Sequence, residues 1–209
     1  MIRTLCALVF LAIGCSYEKD DEVDDEVDVA HAQMQGQVDQ LRLALKERPA
    51  SPLIEYKIGR LFAEYGLMDS ARAAFERSLA LHEAFPEAHN DLGYIQKRLG
   101  DLDGAGRSYE RAVAIDSSFV EAYNNLGQVY KAQGYSEKAI KVFRRAIALR
   151  SDFAVAYVNL ARVYETEGKR QEEAEIWRSY ADRFGKADKY SRHARERLLD
   201  LTERTAASE

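Results

Sequence analysis

Along the middle of the chain, large apolar residues return every three or four positions, the spacing that lays them on one face of a helix. Tyr123, Leu126, Gly127 and Tyr130 show it best, and beyond Gly134 it resumes with Ala139, Phe143, Ala146 and Ile147. Glycine breaks a helix, so this stretch predicts two helices joined by a tight turn, and Ser151 with Asp152 offers a cap for the next one. The pattern then repeats at a fixed step. Gly59, Gly93, Gly127 and Ala161 lie 34 residues apart, each after a large aliphatic residue, namely Ile58, Leu92, Leu126 and Leu160. A second series, Gly66, Gly100, Gly134 and Gly168, follows seven residues later, and Phe85, Phe119 and Phe153 mark the joints. A period of this length predicts helical hairpins stacked in series, each burying its apolar face on its neighbours. The small residues, Gly127 and Ala139 among them, fall where two helices must approach closely.

The ends of the array carry their own stripes. Upstream, Met34, Val38, Leu41 and Leu45 lie on one helical face before Pro49, predicting a capping helix over residues 31–49. Downstream, Tyr190, Ala194, Leu198 and Leu201 stand among Arg192, Arg195, Glu196 and Arg197, which predicts a second cap over residues 187–204. Terminal elements with a polar outer side are what a solenoid needs to close its exposed ends. Thr205 to Glu209 is expected to be disordered.

Charge changes the picture at the N-terminus. The 209 residues carry a formal net charge of −5, and eight acidic residues fall between Tyr17 and Asp28 with Lys19 as the single base. Residues 29–209 hold 28 Lys plus Arg against 27 acidic residues, so no basic field directs the body to nucleic acid. Self-repulsion of the acidic run predicts an extended, disordered linker over residues 15–30. Its acids lack the framework of a calcium loop. Before it, Arg3 precedes an apolar run from Thr4 to Ile13, then Gly14 and Cys15. That run is about half the roughly twenty residues a spanning helix requires, so residues 1–14 read as a cleaved signal peptide. Both cysteines, Cys6 and Cys15, lie in this region, leaving the body without a thiol for a disulfide, a zinc site or a nucleophile.

Leu11-Ala12-Ile13-Gly14-Cys15 resembles the lipobox of bacterial lipoproteins, with Ala12 where leucine is commonest. The resemblance implies lipidation of Cys15 and membrane tethering. Ala12 and Gly14 also suit ordinary signal peptidase, which would release a soluble secreted protein. Ser16 after the cysteine implies, by the same analogy, a lipid-anchored place in the cell envelope on the periplasmic face of the outer membrane.

The body resembles the tetratricopeptide repeat (TPR) family through Tyr123-Asn124-Asn125-Leu126-Gly127, Tyr130, Ala139, Phe143 and Ala146, and again through Leu92-Gly93, Ala105, Tyr109 and Ala112. Four repeats follow, at 52–85, 86–119, 120–153 and 154–184. The first departs from the pattern at Glu55, and the fourth at Glu173, where alanine is expected. The resemblance implies an all-α, right-handed superhelical solenoid. It also implies a concave groove, lined by the first helices, that binds a peptide or helix. Carried over by position, the peptide-binding residues are Asn90, Asp91, Tyr94, Asn124, Asn125, Gln128, Asn159 and Arg162. Asp91, Asn125 and Asn159 fall on one row, and asparagine amides can both donate to and accept from a peptide main chain. Tyr56, Lys57, Arg60 and Val158 line the same face. The paired Lys and Asn of the clamp for acidic C-terminal tails are missing, and the mixed charges of the groove predict no single ligand charge.

Catalytic parts are lacking. His82-Glu83 begins like a zinc-protease motif, but Phe85 occupies the second histidine position. No phosphate-binding loop or nucleophile elbow is present, so the chain reads as no enzyme, with neither metal nor cofactor. The expected function is a monomeric, membrane-tethered adaptor for an envelope protein or peptide. The alternative is a structural subunit of an envelope assembly, joined through convex or end surfaces.

Overall fold

The computed structural model describes residues 21–185 and 189–206, and it forms ten helices with no strand among those residues. Two compact units divide it, Met1–Gln40 and Leu41–Glu209. The expected signal at 1–14, Cys15, Ser16 and the chain's last three residues lie outside the described residues, while the disorder expected from Thr205 is corrected at Thr205 and Ala206, which end the last helix. Helix α1 spans Asp21–Glu47. The expected linker is therefore corrected: its backbone is helical from Asp21 onward. Met34 and Val38 of the predicted stripe are buried.

In the second unit the first helices of successive hairpins are α2 (Pro52–Glu64), α4 (Pro86–Arg98), α6 (Val120–Ala132) and α8 (Ala154–Thr166). The second helices are α3 (Met68–Leu81), α5 (Leu102–Ile115), α7 (Ser136–Leu149) and α9 (Arg170–Phe184), and α10 (Ser191–Ala206) closes the series. Each helix packs on the one before and after it from α2 to α10, and neighbouring first helices also touch. Gly66, Gly100, Gly134 and Gly168 have φ of 75°, 87°, 79° and 67°, a left-handed turn conformation that side chains with a Cβ adopt at a cost.

The close approach inside each hairpin has a specific cause. A Cβ on Gly127 would lie 2.5 Å from the Phe143 ring, one on Gly59 2.7 Å from Phe75, and one on Gly93 3.0 Å from Tyr109. The ring sixteen residues on thus rests directly on glycine backbone. In the last hairpin Ala161 and Trp177 share one buried cluster with Tyr157, Ala174 and Tyr180.

Caps differ from expectation at the joints. Phe85, Phe119 and Phe153 are themselves the N-cap residues of α4, α6 and α8, and no side chain caps those helices. Ser151 and Asp152 therefore do not serve as the cap of α8. Ring burial takes its place: Phe85 packs 4.9 Å from the Tyr56 ring, and Phe153 joins the cluster of Val120, Ala146 and Ala156. Asp101 does cap α5, accepting from the Gly104 amide at 2.8 Å.

Glu173, the departure in the fourth repeat, occupies the place held elsewhere by Ala71, Ala105 and Ala139, all fully buried. The residue is 1% exposed, and its carboxylate takes two bonds from Arg197 of α10, Nε to Oε1 at 2.6 Å and Nη2 to Oε2 at 3.1 Å. The Trp177 indole donates to Oε1 at 3.3 Å. Arg197 also pairs with Glu165 at 3.1 Å and Asp200 at 2.8 Å. The missing alanine is thus an anchor for the closing helix.

Candidate functional site

The outward faces of α2, α4, α6 and α8 carry most of the residues expected to meet a ligand, but Val158, also expected there, is 4% exposed and packs in the core with Tyr157, Trp177 and Tyr180. Helical periodicity puts Arg60, Tyr94, Gln128 and Arg162 in one row and Lys57, Asp91, Asn125 and Asn159 in another. Tyr94 is 41% exposed, Arg162 is exposed, and Gln128 is half-buried.

Side chains of adjacent first helices are tied to one another across this face. The Tyr56 hydroxyl donates to Asp91 Oδ2 at 2.9 Å, Asn125 Nδ2 to Asn90 Oδ1 at 3.1 Å, and Asn159 Nδ2 to Asn124 Oδ1 at 2.9 Å. All three links join residues 35 apart, one more than the repeat period. Asn90 also donates to Asp91 Oδ1 at 3.1 Å, and Lys97 to Gln128 Oε1 at 3.0 Å. The asparagine row thus does two things. It ties successive first helices together, and half-buried Asn90, Asn125 and Asn159 retain amide capacity that these bonds do not use. Asn124 departs from expectation: at 5% exposure it is buried, and its amide oxygen serves Asn159. It belongs to the joint between α6 and α8 rather than to a ligand-facing surface.

Burial raises the Asp91 carboxyl above its ordinary value, opposed by the hydrogen bonds from Tyr56 and Asn90. The same burial, with the negative charge of Asp91 beside it, pushes the Tyr56 phenol well up. Burial lowers the Lys97 ammonium. Tyr130 at the far side of α6 is pushed up to about 12 by burial and by its bond to Glu110.

Two features went unassigned in the sequence reading. Arg98 donates to the Tyr94 hydroxyl at 2.9 Å with its guanidinium 5.9 Å from the ring centroid, making one composite cationic-aromatic group; their i, i+4 spacing was the available signal. The Glu173–Arg197 anchor was signalled by the glutamate at an alanine position. His89 Nε2 lies 2.9 Å from the Glu83 carbonyl oxygen, and His82 packs on Phe85. Among the described residues no three His, Cys, Asp or Glu side chains gather as a metal site, and no helix is long and apolar enough to cross a membrane.

Four stacked helical hairpins with a side-chain-linked first-helix face define a helical-repeat solenoid. Within it, residues 97–134 match a TPR repeat model and residues 120–153 match a tetratricopeptide repeat model. Among solved structures, the MamA protein is 25% identical with a TM-score of 0.69, over 79% of this chain and 92% of that one. YrrB, described as a TPR protein with an unusual peptide-binding site, is 17% identical with a TM-score of 0.67, over 81% and 88%. The first TPR of Spaghetti (RPAP3), bound to the HSP90 peptide SRMEEVD, is 20% identical with a TM-score of 0.55, over 56% and 94%. The last two likenesses establish the fold alone. No curated protein matches the chain.

Proposed function

We infer that the chain is a membrane-tethered adaptor whose first-helix groove holds an extended peptide or a helix of an envelope partner. The observation that carries this reading is the placement of exposed Tyr94 and Arg162 and half-buried Gln128 in one row, beside an asparagine row with amide capacity to spare. The core does not need these groups. Peptide binding by YrrB and by the RPAP3 repeat supports the same use of the fold. Tethering rests on the lipobox-like run ending at Cys15, with Ser16 favouring the periplasmic face of the outer membrane. The adaptor acts as a monomer, since its groove is formed within one chain.

Photo-crosslinking in the native envelope tests the reading, with a reactive residue at Tyr94 or Gln128 and a control at exposed Arg144 on α7. One dominant protein captured from the groove positions alone is expected. Capture only at Arg144, or at neither, would overturn it. Incorporation of labelled fatty acid, lost in Cys15→Ser, tests the tether separately.

A further inference from the structure

The first helices are balanced as sequence, with six acidic and six basic residues, yet the fold engages the two signs differently. Most of the carboxylates are committed internally: Glu55 to Arg77 at 2.9 Å, Glu121 to Arg150 at 2.6 Å, and Glu165 to Arg197 at 3.1 Å. Asp91 accepts from Tyr56 and Asn90. Lys57, Arg60, Lys97, Arg98, Lys131 and Arg162 enter no recorded ion pair among the described residues. Lys97 bonds to Gln128 and Arg98 to Tyr94, neither of which offsets a charge, while Arg60 lies over the Tyr56 ring at 6.0 Å and is partly offset by the nearby Asp91 carboxylate. Once the paired carboxylates are set aside, six cations face Glu64, Glu87 and Asp91. The face is therefore positive where the sequence alone predicted no preferred sign.

The excess is also localised. Arg60, Lys97, Arg98, Lys131 and Arg162 all lie in the C-terminal halves of their helices, at the ninth, twelfth and thirteenth positions, so every repeat places at least one cation in a lane that it shares with Glu64 and the paired Glu165. We propose that this lane selects an acidic, extended polypeptide segment, seating its carboxylates on these five cations while the asparagine row and Tyr94 meet its backbone. The proposal deepens the groove reading and rests on it. Packed helices stand about 10 Å apart, which is roughly three residues of extended chain. Acidic residues at about every third position would therefore meet a new repeat each time. A nucleic acid fits less well, because the lane offers about one cation per repeat against a far denser phosphate charge.

The test is selection from a random library of short peptides, about twelve residues long, on the full chain, in parallel with Lys97→Gln/Lys131→Gln and with Asn125→Ala/Tyr94→Ala. Enriched peptides rich in Asp and Glu are expected, with affinity falling as salt rises. In the Lys97/Lys131 variant a loss of roughly fivefold or more is expected. Peptides enriched without acidic bias, yet lost in the Asn125/Tyr94 variant, would overturn the charge selection while leaving the groove reading intact. No enrichment at all would overturn both. Oligo(dT) binding as tightly as the selected peptides, and competing with them, would overturn the choice of polypeptide. Circular dichroism of each variant verifies that helix content is unchanged.

Discussion

Arg197 reaches from the closing helix to Glu173 and binds both of its carboxylate oxygens, at 2.6 and 3.1 Å, in a place that three other repeats fill with alanine. A carboxylate this deeply buried is tolerated because its charge is matched and its lone pairs are occupied. The closing helix is thereby selected by chemistry as well as by apolar contact.

Removing one partner should cost more than removing the other. Arg197→Met leaves Glu173 buried and uncompensated and should lower stability by about 2–4 kcal/mol. Glu173→Ala restores the small residue used by the other repeats and leaves a part-exposed arginine with Glu165 and Asp200 still at hand, at a cost of about 1 kcal/mol. Urea unfolding of the two variants decides; an Arg197 variant no weaker than the Glu173 variant would show that the pair anchors nothing.

Gly127→Ala places a Cβ 2.5 Å from the Phe143 ring, so the hairpin must open or the ring must shift. A loss of about 1–3 kcal/mol is expected, partly recovered by Phe143→Leu. Gly36→Ala provides the contrast. It meets nothing within 4 Å in mid-helix and should stabilise by about 0.5–1 kcal/mol. Thermal melts of the three variants test the order.

The asparagine links should behave as couplings between repeats. Asn159→Ala orphans the buried Asn124 amide and should cost about 1–2 kcal/mol. Asn124→Ala in the same chain should then add less than it does alone, giving a coupling of about 0.5–1.5 kcal/mol in a double-mutant cycle. Strict additivity would mean that the two amides do not bond in solution.

Asp91 gives the chain a pH response of definite sign. Its folded-state pKa is raised, so the folded protein holds the proton more tightly than the unfolded chain does. Stability from this group is present below the ordinary aspartate value and falls as pH rises toward the raised folded value. Asp91→Asn removes that decline, since the Tyr56 hydroxyl can turn to suit an amide. Denaturation midpoints across the acid range should show the wild type losing ground to the variant as pH increases. Parallel profiles would refute the assignment.

Much of the array was legible because the sequence repeats at the level of single contacts: Gly127 and Phe143, Gly93 and Tyr109, and Gly59 and Phe75 stand sixteen residues apart, a spacing that Ala161 and Trp177 keep in the last hairpin. The asparagine row was legible as a row, while its bonding was hidden. The links step by 35 residues because neighbouring first helices are offset by superhelical packing, a quantity the 34-residue period does not contain. Glu173 was visible as a departure, but its partner lies on a later helix whose placement depends on tertiary packing. The helical backbone of residues 21–30 was not legible, because the acidic run carries little apolar periodicity of its own and continues into the same helix as the Met34–Val38 stripe. The charge of the groove was hidden for a related reason: pairing such as Glu121 with Arg150 is invisible in a count of signs.

Links that step one residue beyond the period make the array tolerant of whole-unit loss and intolerant of small indels. Excising residues 86–119 would bring the Tyr56 hydroxyl opposite Asn125, whose amide oxygen can take the bond now made to Asp91, so a shorter lineage of this protein could splice cleanly. Deleting one residue inside α4 would instead turn every downstream position on that helix by about 100° and uncouple both of its neighbours at once.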